Sequence, residues 1–435
     1  MAKFDSLNDN DVVFIDGTRT PFQKSGTGYK NLMAYDLARH SISALVARTG
    51  IDPASPDRVV MGNVIQEVRT TNVAREAALG AGIPNSVPAN TVTMACISAN
   101  AAIAQCADMI RAGSGSLAIA GGTETMSDVP IRLSKRLRRK LLESQKYRSP
   151  LEYFKLLKGF RFKDLAPELP AIAEFSTGDT MGKSCDKLAA MFSVSREAQD
   201  KFALDSHHKA AKAHESGFLK DEVTPVPADQ GKPPVMDDNG VRGDSTMEKI
   251  SKLRPAFLKP HGTVTAANAS FLTDGASAVL LAGAAKAKKE NLPAKALIKD
   301  YLFVSQDPQF ELLLGPAYAI PKILERNGLT ISDIDVLEIH EAFAGQVLAN
   351  LEALSSKKFL TEDAGVKLAP FSIPEAKLNA WGGSLSIGHP FGATGGRLVT
   401  TAVNRLHHEN GKFAVVAACA AGGQGHAMLI ERIDA

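Results

Sequence analysis

Apolar residues in this chain fall into two patterns: short unbroken runs, and longer stretches at three-to-four spacing. Asp11–Asp16 holds the first short run, and the residues from Gly17 to Phe22 read as a turn. Leu37–Arg48 has helical spacing and meets Gly50, a common helix stop. Arg58–Val64 and Thr91–Ala95 are further short runs, the second ending at Cys96. Ser98–Arg111 is helical, rich in small residues and stopped by Gly113; Leu117–Ala120 is a strand leading into Gly121 and Gly122. Late in the chain, Asp335–Ile339 reads as a strand, Ala393–Leu406 as a helix and Phe413–Cys419 as a strand. Unbroken apolar runs of this length fit strands buried on both faces. Their alternation with helices predicts a layered α/β fold.

The pattern repeats. Arg48 and Arg326, Gly50 and Gly328, and Asp57 and Asp335 share one offset of 278 residues (326 − 48). Farther on, Cys96, helix, strand and a glycine pair are matched in order by His389, helix, strand and Cys419. Two related α/β halves are the expectation. Unlike material lies between them. Residues 131–165 are basic and amphipathic, 176–223 are helical and include Arg196–Ala213, and 224–248 are rich in Pro, Gly and Asp and read as loop. Gly262–Ser270 and Thr273–Gly283 return to strand-like, small-residue sequence, so an insertion sits inside the first half. The expected boundaries are 1–127 and 262–290 for the first half, 128–261 for the inserted loop domain and 291–435 for the second half.

Composition narrows the setting. At 435 residues the chain exceeds one ordinary core. It holds no apolar run of about 18 residues, so no spanning helix is expected. The first residues, MAKFDSLNDNDVVF, are acidic and fit neither a signal peptide nor a transit peptide. The four cysteines, Cys96, Cys106, Cys185 and Cys419, are scattered, which gives no disulfide framework and no paired zinc spacing. The compartment read here is a reducing bacterial cytoplasm, with a mitochondrial protein after presequence removal as the alternative. Net charge is +3, but the residues from Arg132 to Lys163 carry twelve Lys/Arg against two Glu, or +10. That is a local basic segment, not a composition for nucleic-acid binding.

The richest stretch for chemistry runs from Trp381 to Gly425. It contains His389 in GHPFGATG and Cys419 before AAGGQG. Glycine is tolerated at this density where backbone turns sharply or approaches a ligand closely. Cys96 sits where a strand meets a helix of small residues, and a helix N-terminus favours a thiolate. His340 follows the strand Asp335–Ile339 and heads the next helix, where its plain reading is an N-cap or a packing residue. Taken singly, each cysteine reads as a small buried hydrophobe. Cys106 and Cys185 are read as packing only, and the pairs His207–His208 and His407–His408 as solvent-facing. Two Cys and two His nevertheless fall at the same ends of parallel strands, where α/β folds place their sites. These four lack the local spacing of a zinc site, so no metal is expected.

MACISAN around Cys96, GTVTAANAS, HEAF, GGSLSIGHPFGATG and CAAGGQG resemble the thiolase signatures, in thiolase order. The resemblance runs from about Val12 to the C-terminus. HEAF, CAAGG and the basic insertion followed by LAPELPAIAEFSTGDTMG resemble the branch containing the β-subunit of the fatty-acid β-oxidation trifunctional complex. It implies a thiolase fold of two duplicated βαβαβαββ halves in a layered sandwich with an inserted loop domain. It also implies an acyltransferase that splits 3-ketoacyl-CoA with CoA into acetyl-CoA and a shortened acyl-CoA. Long-chain, degradative use in β-oxidation is expected; the alternatives are biosynthetic acetoacetyl-CoA formation and a non-catalytic lipid-binding thiolase fold.

By the same resemblance Cys96 is the nucleophile, His389 its base, Cys419 the second acid–base, and His340 part of the enolate site. The N–H groups of Cys96 and Ala421 hold the other oxyanion, while Ser270 and Met181 contact the pantetheine or acyl part. Ala421 stands where the commoner pattern has Gly, which raises the question of whether the turn needs φ > 0 there. No cofactor is implied, since coenzyme A is a substrate. Implied partners are a second copy in a homodimer core and an α-subunit with hydratase and dehydrogenase activities. Residues 131–165 read as two short amphipathic helices broken at Pro150, suited to that partner or to an anionic membrane surface.

Overall fold

The computed structural model describes residues 2–170, 173–227 and 233–434. The first half carries β1 (Val12–Arg19), α1 (Ala34–Thr49), β2 (Arg58–Gly62), α2 (Val73–Gly80), β3 (Ala89–Val92), α3 (Ser98–Arg111) and β4 (Leu117–Glu124). The insertion contributes α4 (Lys135–Ser144), α5 (Met181–Met191) and α6 (Arg196–Glu215), and β5 (Thr273–Gly283) completes the half. The second half has β6 (Ala296–Ser305), α7 (Gly315–Arg326), β7 (Val336–Ile339), α8 (Ala344–Leu354), α9 (Thr394–His408), β8 (Phe413–Ala420) and β9 (Gln424–Asp434).

These nine strands join in one mixed sheet ordered β3-β2-β4-β5-β1-β6-β9-β8-β7. Each half uses the same order. The third strand of the second half is reduced to a single bridge between Leu337 and Leu378. The halves meet where Val13 pairs with Leu297 and Phe14 with Ala296. Alternate residues of each strand serve two cores, which explains the unbroken apolar runs. Val12, Phe14, Ala118, Val279, Val416 and Met428 share one core with α3 and α9, drawn from both halves. Val13, Ile15, Leu117 and Leu280 face α1 and α2. Leu337, Ile339, Val415 and Leu429 face α7 and α8.

The repeated residues do the same work twice. Gly50 and Gly328 end helices at φ of 66° and 63°, a left-handed backbone that glycine adopts at little cost. Arg48 forks onto Asp16 and Arg326 onto Asp300. Asp57 accepts from the N–H groups of Ser116 and Leu117, and Asp335 from those of Lys412 and Phe413, one at the start of β4 and the other at the start of β8.

Three local expectations change. Gly262–Ser270 is irregular, not a strand. Asp186 accepts the N–H groups of Thr263 and Val264, and Asn268 that of Thr265, so side chains replace the ladder. His340 is no helix cap, because the helix begins at Ala344, behind Phe343. In the basic segment α4 is followed by 3-10 turns at Pro150–Leu157 and Phe162–Leu165, since Pro150 bars a continuous helix. Residues 224–227 and 233–248 are irregular apart from a bridge between Val226 and Val235 and the start of a short helix at Met247; 228–232, also read as loop from the sequence, lie outside the described residues, as do 171 and 172.

Candidate active site

Cys96 stands in a turn between β3 and α3. Ala95, just before it, has φ 44°, a conformation uncommon for residues other than glycine. Ser98 holds that turn: its Oγ accepts from Met94 N–H at 2.8 Å and donates to Ala95 O at 2.6 Å. His389 leads towards α9 from a glycine loop in which Gly388 has φ 119°. Glycines let α9 approach α3, and the loop before α9 approach β4, closely. A Cβ on Gly395 would lie 2.2 Å from Asn100 Oδ1, and one on Gly122 only 1.7 Å from Gly392 O. The buried Glu124 ties the loops together, accepting N–H groups from Val64, Ile65 and Gly392. Burial nevertheless pushes its pKa up to about 8.

One sulfur or nitrogen atom from each of Cys96, His340 and His389 lies within 4.8 Å of the other two. The imidazoles of His340 and His389 sit with centroids 4.0 Å apart. The N–H groups of Ala421 and of Cys96 itself are directed at the Cys96 thiol and lower its pKa. Burial outweighs them, with Glu124 and Glu174 adding repulsion, and the pKa rises to about 11. The helix N-terminus therefore does not yield a resting thiolate here, contrary to the expectation from position alone. Cys419, buried at the end of β8, is held well above its ordinary range by burial and then by Cys96. Burial, with Arg397 adding to it, lowers His389 to about 3, and burial, His389 and Arg397 hold His340 well below 6.5. Both imidazoles are neutral at pH 7.

The His389 ring is oriented by Thr394. Nδ1 lies 2.6 Å from Thr394 Oγ1, whose own hydrogen goes to Pro390 O at 3.0 Å. Thr394 therefore accepts from Nδ1–H, which leaves a lone pair on Nε2. The Nε2 atoms of both His389 and His340 are buried and have no partner among the described residues. Beyond Cys419 the chain turns through Ala421, Gly422 and Gly423. The positive φ values fall on Gly422 (85°) and Gly423 (69°), not on Ala421, so the alanine costs the turn nothing. Gly422 N–H donates to Glu174 of the insertion at 3.0 Å.

A groove of about 380 Å³ runs alongside, lined by Lys24, His207, Arg242, Lys249, Ala267 and Phe271 among others. Its lining residue Phe271 is followed in the chain by Leu272, which bridges to His389, and by Thr273, whose Oγ1 accepts His389 N–H at 3.0 Å. Three cations over an apolar floor suit an anionic nucleotide with a long apolar arm. Ser270 lies between the lining residues Ala269 and Phe271 and donates its N–H to Ala342 O. Met181, the first residue of α5, packs against the second-half core and is not among the groove's lining residues. His207, expected to face solvent, is buried in the groove wall, where its Nδ1 accepts Arg242 N–H and its pKa falls to about 4.

Sequence reasoning missed Lys24, Arg242 and Lys249: Lys24 precedes the other two by 218 (242 − 24) and 225 (249 − 24) residues, and none carries a local signal. It also missed Ser384, Thr394, Arg397 and Glu124. Thr394, five residues after His389, was the one within reach, because that spacing spans a tight turn.

Comparison with known proteins gives matches along the whole chain. Residues 12–285 match the family model "Thiolase, N-terminal domain", and residues 292–432 match "Thiolase, C-terminal domain". "Trifunctional enzyme subunit beta, mitochondrial" of Homo sapiens is 54% identical over 98% of this chain and 89% of its own length. "3-ketoacyl-CoA thiolase" of Yersinia pestis is 42% identical over 97% of this chain and 96% of its own. Among solved structures, human mitochondrial 3-ketoacyl-CoA thiolase in complex with CoA superposes with a TM-score of 0.84 at 31% identity, covering 97% of this chain and 98% of that one.

Proposed function

The chain belongs to the thiolase family, and from that premise we propose how its residues divide the work of a degradative 3-ketoacyl-CoA thiolase. The reaction takes a 3-ketoacyl-CoA and free CoA to acetyl-CoA and an acyl-CoA two carbons shorter, within fatty-acid β-oxidation. Cys96 Sγ adds to the 3-keto carbon while its proton passes to His389 Nε2. The oxyanion that forms is held by the N–H groups of Cys96 and Ala421. The C2–C3 bond then breaks, its electron pair becoming the enolate of acetyl-CoA, and the acyl group stays on Cys96 as a thioester. His340, with His389, steadies the enolate oxygen, and Cys419 protonates C2. After acetyl-CoA leaves, Cys419 takes the proton of incoming CoA. The CoA sulfur attacks the acyl thioester, and Cys96 departs as a thiolate that regains its proton from His389. Ser270 and the groove beside it receive the pantetheine arm, and Met181 the acyl chain.

The observation that carries this reading is the meeting of Cys96, His340 and His389 within 4.8 Å, with the Ala421 N–H on the same sulfur. Incubation with a 3-ketoacyl-CoA and mass mapping tests it. The acyl adduct is expected on Cys96 and lost in Cys96→Ser; an adduct on Cys106 or Cys185 refutes the assignment.

Long-chain use and assembly rest on the insertion. Leu142, Leu151, Phe154, Leu157 and Phe162 are each 62–87% exposed, amid the basic residues of 131–165. Exposed apolar side chains in this number call for a cover, and the relatives named trifunctional enzyme subunit beta point to one. The segment docks on an α-subunit that supplies the 3-ketoacyl-CoA, on an anionic bilayer, or on both, around a homodimeric core. Deleting 134–160 should spare thiolysis of short substrates while abolishing salt-sensitive vesicle binding and α-subunit co-purification. Survival of both associations refutes docking, and sedimentation as a monomer refutes the homodimer. No helix among the described residues is long and apolar enough to cross a membrane. The bacterial cytoplasm remains the proposed location, with the mitochondrion as the alternative favoured by the relatives at 53–54% identity; fractionation of the source cells decides between them.

A further inference from the structure

The second imidazole of the site has a support of its own. His340 Nδ1 lies 3.0 Å from Ser384 Oγ. The same oxygen accepts from Arg397 NH2 at 3.2 Å. Arg397 is fully buried, and its NH1 is bound to Glu338 Oε2 at 3.3 Å. Glu338 is fixed in turn by Arg405 at 2.8 Å. A guanidinium donates and never accepts. Ser384 Oγ spends one of its two lone pairs on Arg397, and among the described residues His340 Nδ1 is the one acceptor within reach of its single hydrogen, so donation to Nδ1 is the arrangement that leaves no buried hydroxyl hydrogen unpaired. An imidazole that accepts at Nδ1 and is neutral carries its proton on Nε2.

We propose that Ser384, held by Arg397, is a positioning residue that fixes the His340 proton on Nε2, making that nitrogen a hydrogen-bond donor to the enolate oxygen. The contrast with His389 supports this. There the partner hydroxyl, on Thr394, is already spent on Pro390 O, so the ring keeps Nδ1–H and offers a lone pair at Nε2. Two neutral imidazoles 4.0 Å apart thus hold opposite tautomers. One takes the thiol proton and the other gives a hydrogen bond. Each buried Nε2 lacks a partner among the described residues, as expected of atoms kept for a substrate. Without Ser384 the His340 ring would lose that bias and be a donor only part of the time.

The inference rests on the reading of His340 as an oxyanion-site residue, and the test separates the two. Thiolysis is measured on the full-length enzyme with a short 3-ketoacyl-CoA and CoA. Ser384→Ala should lower kcat roughly 10- to 100-fold, below the full loss of an oxyanion donor, with KM little changed, and Ser384→Thr should restore it. In a His340→Asn background, whose amide brings its own N–H donors, Ser384→Ala should cost no more than about threefold. Wild-type kcat in Ser384→Ala, or an equal loss in both backgrounds, overturns the proposal. Wild-type kcat in His340→Ala overturns the oxyanion reading beneath it. Should Ser384→Ala fail to fold, long-range proton–nitrogen spectra of the 15N-histidine wild type decide, with His340→Asn giving the assignment. His340 as Nε2–H and His389 as Nδ1–H is the expected result, and His340 as Nδ1–H overturns the proposal.

Discussion

Gly122→Ala should disable the enzyme without touching a reacting group. The added Cβ would stand 1.7 Å from Gly392 O and 2.6 Å from Gly392 C, where ordinary contact begins at 3.4 Å. The Gly392 loop must therefore retreat by up to about 1.7 Å (3.4 − 1.7). It cannot do so freely, because Gly392 N–H is bound to Glu124 at 3.0 Å and His389 is three residues upstream. Overpacking of this kind costs about 1–3 kcal/mol. A displacement on the order of 1 Å at a reacting group costs ~10²-fold in rate. Steady-state thiolysis should show kcat down roughly 100-fold, with KM for CoA changed far less because neither Gly122 nor Gly392 lines the groove. A thermal melt should show a modest fall in Tm. Unchanged kcat together with unchanged Tm would refute the idea that this contact sets the position of His389.

Cys419→Ala should bind substrate and form the Cys96 adduct, yet turn over at least ~100-fold more slowly, the usual scale for general acid–base loss; near-normal thiolysis would mean that another group moves the proton. Stability should fall as pH drops below about 6.5. His389 and His426 are lowered to about 3 and His207 to about 4, so in that window the unfolded chain binds more protons than the folded one. Glu124, raised to about 8, opposes this between about 4.5 and 8; its folded form keeps a proton that the unfolded form releases, so its own term weakens the fold as pH rises through that range. Denaturant midpoints from pH 4 to 8 measure the sum, and a midpoint that does not fall below pH 6 contradicts the histidine assignment. Micromolar Zn²⁺ should inhibit thiolysis reversibly, since Cys96, His340 and His389 offer one sulfur and two nitrogens within 4.8 Å. Equal zinc inhibition of the wild type and His340→Ala would place the ion elsewhere.

Features governed by local chemistry were legible in the sequence. Gly50 and Gly328 announce helix ends because few other residues accept a left-handed backbone, and Asp57 and Asp335 recur because the start of β4 and of β8 each needs an acceptor. His389 and Cys419 stand out through the glycines around them. What depended on distant neighbours was not legible. Gly262–Ser270 has the composition of a strand, but Asp186 and Asn268 capture its N–H groups. His207 sits among charged helical residues, yet the loop carrying Arg242 covers it. The position of Cys96 before a helix suggested a thiolate, whereas burial by residues from both halves keeps the thiol protonated. The link from Ser384 to His340 joins positions 44 residues apart, and no pattern in the chain couples them.

The site draws its parts from both sides of the junction where β1 meets β6, and this dictates an order of assembly during synthesis. Cys96 leaves the ribosome 323 residues (419 − 96) before Cys419. At ~5–20 residues per second that is roughly 15–65 s during which the nucleophile exists without the second acid–base. His340, His389 and the Ala421 N–H are also still to come for most of that time. A nascent or truncated chain therefore carries a thiol that has neither its proposed base nor its full oxyanion site. With Cys96 early and its proposed partners late, the proposed C–C cleavage is confined to chains in which both halves are complete.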